Sequence, residues 1–195
     1  MKNFATKVFK YRSYTPIPFV IVMLIFQQAT LGTLIGGFIV ALCGELIRLW
    51  GVSIAGSETR TTGKVGGTYL VVTGPFAYVK NPLYLGNILL YMGIGIMSWA
   101  LFPYLQIVAF LFFYWQYHVI IKEEEGFLRE KFGKDYDEYY KAVPRLFPRL
   151  TPYKTEGVEQ PPFKLHMGLR SETRTLQAFS AVTIILVIVY IIGQQ

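Results

Sequence analysis

Charge is scarce in this chain. Of its 195 residues only 16% are Asp, Glu, Lys or Arg, where a water-soluble domain carries roughly a quarter. Cysteine is nearly missing: Cys43 stands alone inside an apolar run, which excludes an internal disulfide and a cysteine-rich metal site. The histidines, His118 and His166, are too few for most zinc sites. A separate basic domain is lacking as well. The net charge is +7, but the basic residues cluster at the ends of apolar runs, which argues against nucleic acid as a partner.

What the chain has in quantity is apolar and aromatic. Hydrophobic residues make up 53% and aromatic residues 16%, with a mean hydropathy of +0.39. Amphipathic rings settle at membrane–water boundaries, so this composition predicts an all-α integral membrane protein with about five spans in a single domain, residues 1–195. The stretch Thr15–Val52 is too long for one crossing of roughly 20 residues and suits a hairpin: Pro16–Gln28, a turn, then a helix to Trp50. Pro82–Met97, Trp99–Ile121 and Leu176–Ile192 read as three further spans. Lys2, Lys7, Lys10 and Arg12 precede the first apolar stretch, but no cleavage pattern follows it, so a retained anchor is expected.

The charges set an orientation. With the N-terminus in the cytoplasm, all 19 Lys and Arg and all 12 acids fall on the cytoplasmic side or its membrane edge. The outer turns and the tail after Arg174 carry none. The positive-inside rule then places any charged site in the cytoplasm and the C-terminus outside; the expected location is a bacterial inner membrane. Two segments become the candidates for chemistry: Gly51–Asn81, a glycine-rich loop (Gly56, Gly63, Gly66, Gly67, Gly74), and Lys122–Arg174, which begins as a helix. Gly133 should end or bend that helix, and Asp137–Ala142 can resume it up to Pro144.

Three constellations stand out. Asn81 and Pro82 suit the N-cap and first position of the third span, whose free N–H groups can seat an anion, with Lys80 adjacent. A capped helix with a snorkelling lysine accounts for the same residues. Glu123-Glu124-Glu125 follow the fourth span; carboxylates there can accept from a ribose diol or pair with a cation, and a solvated acidic collar is the plainer account. Glu45 and Arg48, three apart near the end of the second span, share a helix face as a candidate polar pair or a self-compensating one, with Trp50 marking the interface. Gly93 and Gly95 suggest close helix packing. Gly63-Lys64 and Gly133-Lys134 lack the rest of a phosphate loop.

Taken together, these residues resemble the isoprenylcysteine carboxyl methyltransferase family and its phospholipid-methylating relatives. The likeness is carried by Gly44-Glu45 with Arg48 and Trp50, and by Val72, Gly74-Pro75, Tyr78, Lys80-Asn81-Pro82, Tyr84 and Gly86. It continues through Glu124-Glu125, Phe132-Gly133 and Val143-Pro144-Arg145, across about residues 41–150. The family motif often reads Arg-His where this chain has Lys80-Asn81, and Lys lacks the bidentate grip of Arg. The resemblance implies S-adenosylmethionine bound by Val72, Gly74, Tyr78, Asn81, Pro82, Tyr84, Leu85, Glu124 and Glu125, with no metal. It implies a lipid-like isoprenoid or phospholipid acceptor arriving from the bilayer. Lys80, Arg48 or Arg145 would orient a carboxylate acceptor, and Glu45 or Glu125 would hold an amine or take its proton. The additional helix at about 175–193 lies outside that family core. A nicotinamide-dependent membrane reductase and a non-catalytic transporter or assembly factor are the competing readings. The second expects polar residues at mid-membrane depth.

Overall fold

The computed structural model describes residues 2–56, 69–155 and 157–193. The loop glycines Gly63, Gly66 and Gly67, and with them Gly63-Lys64, lie outside the described residues. The described residues form helices and loops with no strand: α1 (Lys2–Tyr11), α2 (Pro16–Ile25), α3 (Leu31–Ala55), a 3-10 turn (Gly74–Ala77), α4 (Pro82–Ser98), α5 (Tyr104–Ala142) and α6 (Leu165–Ile192). This is an all-α integral membrane protein. α3, α5 and α6 are each long and apolar enough to cross a bilayer, and α1 with α2, bent by 45°, can act together as a fourth span. α4, at 17 residues, rises about 26 Å, slightly less than the hydrocarbon core.

Each expected segment has its helix, with revised limits. α3 runs five residues beyond Trp50, to Ala55. α6 begins at Leu165 rather than Leu176, because its polar first turns find a partner surface on α3. There Gly168 lies so close that a Cβ would stand 2.0 Å from Ser53 Oγ. The polar turn between α2 and α3 is accounted for locally. Thr30 Oγ1 accepts from the Thr33 N–H at 3.2 Å, and Thr33 Oγ1 accepts from the Thr30 N–H at 2.9 Å, a reciprocal cap. The Gln27 side chain donates to the Leu186 carbonyl at 2.8 Å. As expected, α5 breaks at Gly133 (φ 51, ψ −119) and resumes to Ala142. Its 39 residues span about 58 Å, so half of it projects past the membrane.

The centre of the bundle is the antiparallel pair α3–α4, which approach at backbone distance. A Cβ on Gly37 would stand 2.4 Å from Met97 N, one on Gly44 2.6 Å from Gly86 O, and one on Gly93 2.3 Å from Ala41 N. Without hydrophobic gain between helices in lipid, such small-residue contact is what van der Waals packing needs. It sets α4, and everything attached to its first turn, at fixed depth against α3.

Candidate active site

The charged end of the bundle is closed by a strap. Residues 144–153 run beside residues 76–81 and exchange backbone hydrogen bonds with them: Lys80 N–H to Pro144 O (2.8 Å), Asn81 N–H to Arg145 O (3.2 Å), Arg149 N–H to Tyr78 O (2.9 Å) and Tyr153 N–H to Ala77 O (2.8 Å). Beneath the strap, Leu70, Val72, Tyr136, Tyr139 and Val143 form a small buried core. The Tyr139 hydroxyl donates to Phe76 O at 2.8 Å. Asn81 occupies the N-cap position of α4 but its side chain makes no capping bond; its amide donates instead to Arg145 O at 3.1 Å. Pro82, buried, starts the helix as expected.

Around this junction the expected residues fall into two sets. In the first, Arg145 grips Glu125 with both prongs of its fork, Nε to Oε1 at 2.8 Å and Nη2 to Oε2 at 2.6 Å. Lys80 Nζ stands 4.0 Å from Glu125, donates to the Tyr140 carbonyl at 3.0 Å and lies 3.5 Å from the Tyr140 ring centroid. Burial pushes the Lys80 ammonium down to about 8; Arg145 and Arg129 add to the shift and Glu125 opposes it. Arg145 is raised by its hydrogen bond to Glu125. Next to this group the Tyr84 hydroxyl donates to Glu124 Oε1 at 2.6 Å, and Leu85 packs against the buried cluster that contains Ile88, Phe113 and Tyr117. Val72 donates its N–H to Gln160 Oε1 at 2.9 Å. Gly74 (φ +59) presses so closely on Ile54 and Trp50 that a Cβ would stand 2.1 Å from Ile54 Cδ1, and the Tyr78 ring lies 6.4 Å from Trp50.

The second set lies deeper. Arg48 pairs with Glu45 at 3.4 Å, as the spacing implied, but it also donates to Glu172 Oε2 on α6 at 2.6 Å and to Asn87 Oδ1 on α4. From Asn81 to Asn87 the helix rises about 9 Å, so Glu45 and Arg48 form a separate layer from Lys80 and Arg145. Sequence reasoning missed Asn87, Gln160 and Glu172. Asn87, an amide inside an apolar run one turn after Tyr84, was readable. Glu172, in the polar run before the last apolar segment, carried no signal of burial, yet it is 0% exposed.

Opposite charges held a few ångströms apart at a membrane edge, beside aromatic walls, suit a zwitterionic cofactor with sugar hydroxyls. Among the described residues no group of three or more His, Cys, Asp or Glu is arranged to hold a metal. Fold and site together define a helical membrane protein with a compact polar site at the start of a short helix.

The phospholipid methyltransferase family profile matches residues 32–135, more than half the chain, and the chain belongs to that family. It is 33% identical over 111 residues to the cobalt-zinc-cadmium resistance protein CzcN of Cupriavidus metallidurans, covering 56% of this chain and 46% of that protein. It is 31% identical over 101 residues to the nickel-cobalt-cadmium resistance protein NccN of Alcaligenes xylosoxydans xylosoxydans, covering 52% and 44% respectively. The chain therefore spans less than half the length of these curated relatives. No solved structure matches it.

Proposed function

We propose that the protein transfers a methyl group from S-adenosylmethionine to a lipid-like acceptor, an isoprenoid or a phospholipid, at the cytoplasmic face of a bacterial inner membrane. The observation that carries this reading is the grouping, largely inside the family-matched segment, of Lys80, Asn81, Tyr84, Glu124 and Glu125 at the first turn of α4, with Arg145 added by the strap. That donor set fits the cofactor. Lys80 and Arg145 match a carboxylate, Glu124 and Glu125 match an ammonium or a ribose diol, and Val72, Gly74, Tyr78, Pro82 and Leu85 would supply the surrounding wall.

S-adenosylmethionine supplies an electrophilic methyl group, so the chain's own part is to bind, orient and keep water out. The Arg145–Glu125 fork exchanges partners as the cofactor enters. Lys80 or Arg145 orients an anionic acceptor; Glu125, or Glu45 from the deeper layer, holds a cationic one or takes its proton. Arg48 already gives its guanidinium to Glu172 and Asn87 and acts from behind the site. The acceptor's chains stay in the bilayer while its head reaches the junction. The names of both relatives attach them to metal resistance, and lipid methylation is the chemistry through which this chain would serve such a role.

Calorimetry on the detergent-purified protein tests the reading. S-adenosylmethionine and S-adenosylhomocysteine should bind saturably, and Glu124→Ala or Asn81→Ala should weaken both by tenfold or more. Stabilisation by NADPH without binding of either adenosyl compound would replace it with the reductase reading.

A further inference from the structure

The deeper ion cluster draws on a helix that the family match does not reach. Glu172 sits in α6, wholly buried, with Oε2 2.6 Å from Arg48 Nη2. The Arg48 guanidinium also meets Thr175 Oγ1 at 3.4 Å. Its methylenes fill the notch over Gly86, where a Cβ would stand 2.5 Å from Arg48 Cγ. Its remaining prong holds Asn87. Asn87 and Tyr84 are three apart on α4 and share a face. The Tyr117 hydroxyl lies beside Asn87, and its ring stacks on Tyr84 with centroids 4.8 Å apart. Tyr84 in turn holds Glu124.

Apolar and small-residue contacts dock α6 as well. Phe179 stacks on Phe38 at 5.6 Å, Gly168 seats on Ser53, and Leu186 is fully buried. A buried ion pair is a poor way to gain stability when apolar residues of equal volume do as well, and ionisable groups within spans mark function by default.

We infer that Glu172 is a positioning residue of the methyl-transfer site: it holds Arg48 against Asn87, and so fixes the first turns of α4 and the Tyr84–Glu124 pair. The inference rests on the proposed function for its kinetic readout and on the fold for its structural one.

The test uses the full chain in lipid nanodiscs, comparing wild type with Glu172→Gln, Glu172→Asp and Asn87→Ala, and with the exposed α6 control Ser180→Ala. Glu172→Gln and Asn87→Ala should weaken S-adenosylhomocysteine binding by about tenfold or more and lower kcat more than they change the acceptor KM. Glu172→Asp should recover most of the loss and Ser180→Ala should show none. Amide exchange across residues 82–91 should quicken in Glu172→Gln and stay unchanged in the control. Wild-type affinity and wild-type exchange in Glu172→Gln would overturn the inference. So would losses that vanish when the assay is run far below the unfolding temperature. If Glu172→Gln does not fold, Asn87→Ala decides by the same two readouts. If the wild type binds no adenosyl compound, the functional reading fails on its own, and amide exchange alone still decides whether Glu172 positions α4.

Discussion

Gly36 and Gly37 are neighbours in α3 and should respond oppositely to the same methyl group. A Cβ on Gly36 meets nothing within 4 Å, whereas one on Gly37 would stand 2.4 Å from Met97 N and 2.5 Å from Gly93 O. Ordinary contact needs about 3.4 Å or more, so Gly37→Ala forces α3 and α4 apart by about 1 Å, a gap that forfeits a quarter to a half of each affected dispersion contact. Overpacking of this kind costs about 1–3 kcal/mol. Ala also gains about 1 kcal/mol of helix propensity over Gly at either position. Gly37→Ala should therefore be destabilised by up to about 2 kcal/mol, while Gly36→Ala should be neutral or up to about 1 kcal/mol more stable, a difference of about 1–3 kcal/mol between the two. At this chain length 1 kcal/mol moves Tm by about 2–4 °C, readable by tryptophan fluorescence on matched detergent preparations. Because the α3–α4 spacing also sets Arg48 against Asn87, Gly37→Ala should weaken adenosyl-ligand binding as well. Equal Tm values for the two variants, or a Gly37→Ala protein more stable than wild type, would refute the close-approach reasoning.

Other expectations follow from the site. Lys80 titrates at about 8, so affinity for a ligand carboxylate should fall as pH rises through 8 in the wild type and hold in Lys80→Arg. Since that value lies below the ordinary 10.5, the folded protein gives up this proton before the unfolded chain does; stability should rise with pH between about 8 and 10.5, and Lys80→Met should flatten that rise. Gln160→Ala leaves the buried Val72 N–H without its acceptor, at a cost of about 1–3 kcal/mol, and should weaken cofactor binding more than it lowers Tm. For orientation, alkaline phosphatase fused after Gln195 should be active on the periplasmic side, and a fluorescent protein fused there should stay dark; the reverse pattern would invert the assignment.

Hydrophobic run length and turn chemistry made the helices legible, down to the break at Gly133. Helix ends were less legible: α6 starts eleven residues early because Gly168 and Glu172 face α3, a tertiary match that hydropathy cannot register. Within the site, Lys80, Asn81, Glu124 and Glu125 are legible from helix-end chemistry and charge placement, Tyr84 and Arg145 from the family resemblance, and the fold brings all six to one junction. What stayed hidden was partner choice. Asn81 reads as a cap and instead ties down the strap, because residues 144–153 arrive from far along the chain. Arg48 reads as the partner of Glu45, while Glu172 and Asn87 complete its shell from two other helices. Spacing reports local neighbours, and these contacts span 124 and 39 residues.

The most direct measurement of the central claim is the transfer of a methyl-labelled group from S-adenosylmethionine into the organic-soluble fraction of membranes carrying the protein. Wild-type membranes should accumulate labelled lipid, while Glu124→Ala and Asn81→Ala membranes with equal protein levels should not. Lipid that stays unlabelled in wild-type membranes supplied with their full native lipid complement, or labelling that persists unchanged in both variants, would contradict the account.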